Sequence, residues 1–158
     1  MIHVRFGMIR VLRSVLATLL IAPLLAAGTP ADDAAIRKVM LATWDKPEPR
    51  LEISPVVVVE GWAVAGWTQG ERGGRALMLR TRRGDWAVLA CSGDALKDPT
   101  ALEMAGMPED IARRLATSLT QAEANLPASR LAKFASFEGM VRMDGAGHHP
   151  PAASGAKH

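Results

Sequence analysis

The 158-residue sequence has no tyrosine, three phenylalanines and a single cysteine, Cys91. One cysteine excludes an intramolecular disulfide and any cluster of several thiolates. Histidine is nearly as scarce. Beyond residue 31 only His148, His149 and His158 remain, all in the last eleven positions. A cysteine nucleophile needs a base within reach, so catalysis at Cys91 would require the chain end to fold back over it. Long hydrophobic runs are missing too. The longest, Val15 to Ala27, contains Pro23 and falls short of the ~20 residues a membrane span needs.

That run reads instead as the apolar part of a secretory signal. Arg5, Arg10 and Arg13 precede it and the small residues AAGTPA follow, with plausible cleavage after Gly28 or Ala31. No cysteine near these positions suggests a lipid anchor. Removing residues 1–31 also changes the charge balance. The whole chain carries 19 Lys+Arg against 16 Asp+Glu, and three of the arginines but none of the acids lie in the leader. The remaining chain is neutral, which leaves no electrostatic footprint for nucleic acid. The expected organisation is a signal peptide at 1–31, one domain at 32–144 and a flexible histidine-containing tail at 145–158, with a periplasmic location.

Within the domain, DDAAIRKVMLATW predicts a helix capped by Asp32 or Asp33, with Ile36, Val39, Met40 and Trp44 on one face. The prolines of KPEPR end it. The β-branched LEISPVVVVE, then WAVAGWTQ, RALMLRTR and DWAVLACS, predict four strands. The turns between them are Glu60-Gly61, the longer GERGG and Arg83-Gly84, as in an antiparallel meander. GERGG joins two strands and opens no helix, so it is a hairpin loop and not a phosphate cradle. Asp98-Pro99 starts a further helix that Gly106 ends. MPEDIARRLATSLTQAEANL predicts another, with Ile111, Leu115, Leu119, Ala122 and Leu126 as its apolar stripe. ASRLAKFASF supplies the last, turning Leu131 and Phe134 inward. The order implies an α+β fold, an N-terminal helix, a four-stranded meander and C-terminal helices on one sheet face. From Gly145 the chain has too few apolar side chains to bury a surface and is expected to be mobile.

Few residues in this scaffold carry chemistry. Cys91 is placed by alternation on the same face as Leu89, and three roles are open to it: inert core thiol, metal ligand or nucleophile. Glu60, Glu71, Asp85 and Asp94 fall at strand ends and turns, where acids are normally solvated. Trp62 and Trp67 are an odd number apart, so one faces the core while the other is free to line a groove between sheet and helices. Met40 fits its helix's core face, and Met104 and Met107 straddle Gly106 as gap-filling side chains. Met140 and Met143 differ, standing beside Gly139 and leading within a few residues to His148 and His149. Thioethers and imidazoles are ligands for copper, so this segment, with Cys91, is the candidate metal site.

WAVAGWTQGERGGRAL, WAVLACSGDALKD and FASFEGMVRMDGAGHHP, together with DDAAIRKVMLATWDKP, resemble the small exported bacterial proteins called copper uptake system-associated proteins. The likeness spans nearly the whole chain after the leader. It implies an exported protein connected with copper handling, and it supplies no activity and no ligand set. The expectation is a non-enzymatic periplasmic accessory protein that holds copper through Met140, Met143, His148, His149 and Cys91 and passes it to an envelope transporter or chaperone. The alternative is a metal-free binding module whose sheet–helix groove takes a small apolar ligand or a protein.

Overall fold

A computed structural model describes residues 28–143. Helix α1 (Pro30–Trp44) is followed by strands β1 (Glu52–Val59), β2 (Trp62–Gln69), β3 (Arg72–Arg80) and β4 (Trp86–Ser92). A 3-10 turn at Asp94–Lys97 leads into α2 (Pro99–Met104), α3 (Glu109–Glu123), α4 (Ala128–Ala135) and a short β5 (Met140–Arg142). The strands form one antiparallel sheet in the order β1-β2-β3-β4-β5, an α+β arrangement.

The sheet therefore has five strands where the sequence suggested four. Met140–Arg142 adds to the edge of β4, pairing Met140 with Ser92 and Val141 with Cys91. Three residues are too few to show a period. The segment is a strand because β4 offers it an unpaired edge. The C-terminal helices share one face as expected. Helix α1 takes the other, so two cores form. Ile36 and Met40 of α1 pack on Ala63, Ala65, Ala76, Met78, Val88 and Cys91. Leu102, Ile111, Leu115 and Leu119 of α2 and α3 pack on Val64, Leu77 and Ala90. Trp62 and Trp67 do face opposite ways, each half-buried against a different core.

The helix starts also shift. Thr29, not an aspartate, caps α1. Its Oγ1 accepts the Asp32 amide while the Asp32 carboxylate accepts the Thr29 amide, a reciprocal box, and Pro30 occupies the first helical turn. The ordered unit thus begins before residue 32. Asp98 caps α2 through Thr100 N, as its Pro99 neighbour suggested. Met107 is buried, but Met104 is 78% exposed and fills no gap.

GERGG is shorter as a loop than it reads. Gly70-Glu71 is the whole turn, closed by the Gln69–Arg72 pair, and Gly73 and Gly74 lie inside β3. They are glycine because neighbours press on them. A Cβ on Gly73 would stand 2.9 Å from the Lys133 backbone, and one on Gly74 would stand 2.9 Å from the Phe137 ring. The segment 133–137 can lie on the sheet only where side chains are missing.

The stripe of α3 departs from expectation at its end. Ala122 is exposed and Glu123 is buried in its place. Its partner is Arg75 of β3, also buried, whose Nε and Nη2 donate to the two Glu123 oxygens at 2.7 and 2.8 Å. Arg75 Nη1 reaches Asp94 at 3.1 Å, Lys97 Nζ lies 3.4 Å from Glu123, and the Phe134 ring covers the guanidinium at 5.2 Å. Removing one partner of a buried pair leaves an uncompensated charge, which costs about 3–5 kcal/mol. Glu123→Gln is expected to lower the unfolding free energy by that amount, read as a lower urea midpoint at unchanged slope, whereas Arg75→Met with Glu123→Leu recovers most of it. A Glu123→Gln loss below about 0.5 kcal/mol, the size of a surface substitution, would contradict this reading.

Candidate functional site

Between the C-terminal end of α1 and the sheet lies a cavity of about 340 Å³. Its body is apolar: Trp44 from α1, Leu51 from the connection before β1, Trp67 from β2, and Phe137 and Met143 from the C-terminal segment. Cys91 of β4 contributes to its floor, and Thr43, Asp45, Lys46 and Arg72 stand at its polar side. Trp67 and Phe137 meet edge to face, ring centres 6.0 Å apart at 83°, the arrangement aromatic quadrupoles favour. Gln69, buried two positions along from Trp67, donates Nε2 to the Trp44 carbonyl at 3.0 Å and ties the end of α1 to the sheet.

The position of Cys91 depends on a β-bulge. Leu77 pairs with Ala90 but Met78 pairs with Val88, so Leu89 is an extra residue in β4. Leu89 and Ala90 then both turn toward α2 and α3, while Cys91 falls on the α1 side with Val88. Strict alternation, which put Cys91 with Leu89, fails here because a bulge inserts one residue and reverses the pleat beyond it. The free Leu89 carbonyl is used: it accepts the Met143 amide at 2.8 Å.

That hydrogen bond sets the C-terminal segment beside Cys91. Val141 is paired with Cys91, and Met143, two residues on, lies on the same face and packs against the α1-side core. Cys91 and Met143 thus line one cavity. Met140 is on the opposite face, exposed to 36%, where odd spacing along β5 must put it. Of the five candidate ligands, the fold brings two together, separates Met140 from them, and leaves His148 and His149 outside the described residues. Among the described residues no three of His, Cys, Asp and Glu converge as a metal cluster.

Burial governs the chemistry of Cys91. The side chain is 4% exposed, and loss of solvent pushes the thiol from an ordinary 9.0 to about 12. At neutral pH it is a protonated, weakly polar group. Asp45, by contrast, is held below the usual carboxylate range by the Leu51 amide, against a smaller opposing effect of burial, with Arg50 adding its charge. Its carboxylate is fully engaged at the cavity edge.

Alternation along β2 from Trp67 points to Gln69. Leu51 and Phe137 carried no such signal, because each reaches the cavity from a connecting segment whose path the sequence does not specify. No protein-family profile matches the chain, and neither a curated protein nor a solved structure matches it.

Alkylation probes the floor directly. Only the thiolate reacts, so a shift from 9.0 to about 12 predicts native Cys91 modified by iodoacetamide at mildly alkaline pH on the order of a thousandfold more slowly than in urea. Comparable rates in the two states would show that the thiol is open to solvent.

Proposed function

We propose that this is an exported, non-enzymatic copper-handling protein that carries the ion as cargo at Cys91 and Met143 and passes it to an envelope transporter or chaperone. The observation that carries the reading is that these two sulfur-bearing residues line one cavity. The resemblance to copper uptake system-associated proteins supports it independently. Sequence connectivity adds a third point: His148 follows Met143 by five residues, a reach of up to roughly 17 Å when extended. An imidazole from that segment, His148 or His149, completes the shell. Met140, on the far face, is not part of it.

The chemistry of the floor suits Cu(I). A bare cation in an apolar cavity is costly. When Cu(I) displaces the Cys91 proton, the proton leaves to solvent and the copper–thiolate unit is neutral, with the Met143 thioether adding a soft donor and no charge. Exchange to a partner then needs an incoming thiolate or thioether and returns one proton to Cys91.

Under reducing, anaerobic conditions the chain should compete for Cu(I) with a moderate-affinity chelator. Cys91→Ala and Met143→Leu should each weaken binding at least about tenfold, and Met140→Leu should not. The affinity should rise about tenfold per pH unit from about pH 7 to about pH 9, because a thiol titrating at about 12 releases one proton per ion bound. Cys91→Ala removes the group that releases the proton and should flatten the slope. No competition by the native chain would sink the copper reading.

In this reading the cap of α1 favours one of the two cleavage points. Cutting after Ala31 removes Thr29 and Pro30 and with them the reciprocal cap of α1, a loss of about 1 kcal/mol. Cutting after Gly28 keeps both. The exported protein is expected to begin Thr29-Pro30-Ala31 on N-terminal sequencing; a chain beginning at Asp32 would overturn this.

A second reading rests on a different property of the same cavity. Trp44, Leu51, Trp67 and Phe137 form an apolar enclosure of a size suited to a small molecule, and in that reading the protein is a metal-free binding module.

A further inference from the structure

The cavity is apolar within and positive at its mouth. Lys46 and Arg72 line it and are exposed, and neither forms an ion pair among the described residues. Among the described residues that line it the one carboxylate, Asp45, is already consumed by the Leu51 amide at 2.8 Å and by Arg50 at 2.6 Å. The C-terminal end of α1 also points here, and its dipole brings about half a negative charge. Part of that is answered by Gln69, whose Nε2 binds the Trp44 carbonyl. Two full positive charges outweigh the remainder. The walls behind them are aromatic and aliphatic, and Phe137 and Trp67 form a corner against which a flat or slender body can pack.

We propose that this cavity binds a small organic carboxylate, its acyl or aryl body seated against Trp44, Trp67 and Phe137 and its carboxylate held at the mouth by Lys46 and Arg72. This rests on the second reading above and names the ligand class. The dimensions limit the body. At about 340 Å³ the cavity lies near the lower end of ligand cavities, roughly 300–1,000 Å³, which suits a short chain or a single ring and excludes long-chain lipids. An uncharged apolar molecule would gain the walls but not the mouth. An organic cation would meet Lys46 and Arg72 as repulsion.

The test is isothermal titration of the copper-free mature chain with four probes: octanoate, 3-phenylpropionate, 1-octanol and octylammonium. At least one of the two carboxylates is expected to bind about three- to tenfold more tightly than the alcohol, the range two partly exposed charge contacts supply. Octylammonium is expected to bind weakest. Which carboxylate binds better separates an acyl from an aryl body. Raising salt from ~50 to ~500 mM should reduce the preference for the carboxylate. Lys46→Gln with Arg72→Gln should abolish it while leaving circular dichroism unchanged, since neither side chain forms an ion pair among the described residues. Equal binding of octanol and both carboxylates would overturn the inference and keep an apolar ligand. No binding by any of the four would overturn the inference and the second reading together.

Discussion

Arg75 and Glu123 hold the C-terminal half of the molecule in place. A guanidinium and a carboxylate that are both almost fully buried lose most of their hydration, and their mutual attraction offsets that only if every strong donor and acceptor finds a partner. The structure meets the condition with two parallel hydrogen bonds, a third to Asp94, the ammonium of Lys97 and the face of Phe134. These partners come from β3, the 3-10 turn, α3 and α4. Moving any one of them leaves a charge unanswered, so the pair restricts all four elements at once. Gly66, opposite Arg75 in β2, completes the arrangement, because a Cβ there would stand 2.7 Å from the Phe134 ring.

The consequence reaches the other face of the sheet. With Phe134 pinned, the backbone of residues 134–137 passes close over Gly93, where a Cβ would come within 2.6 Å of the Phe137 carbonyl. Phe137 is thereby delivered against Trp67, and Met140–Arg142 follows onto the edge of β4. The buried ion pair thus helps set the wall of a cavity on the far side of the sheet. The link is mechanical: a short connection around the sheet edge leaves Phe137 little freedom once α4 is docked.

The second determinant is the bulge at Leu89. Were β4 paired regularly through Leu89, without the bulge, Cys91 would point toward α2 and α3, and the edge carbonyl that receives Met143 would not be free in the same place. The bulge turns Cys91 to the cavity and frees the carbonyl that docks Met143 on the same cavity. The result combines a soft, neutral floor with a positive rim formed by Lys46 and Arg72.

Helices and strands follow from the sequence because their causes are local. The 3.6-residue recurrence of Ile36 and Met40, the β-branched run Val56–Val59, the proline stops and the Asp98-Pro99 cap each act within a few residues. The opposite facing of Trp62 and Trp67 was legible for the same reason. Tertiary structure decided what depends on a distant partner. Glu123 is buried where Ala122 was expected because Arg75, 48 positions earlier, needs it. Gly73 and Gly74 belong to a strand because residues 133–137 press on them. Met140–Arg142 pairs because β4 has an open edge, and Cys91 faces α1 because of a bulge that no local propensity announces. Local free energies set the elements. Long-range pairing of buried charge, sheet edge and ring set the site.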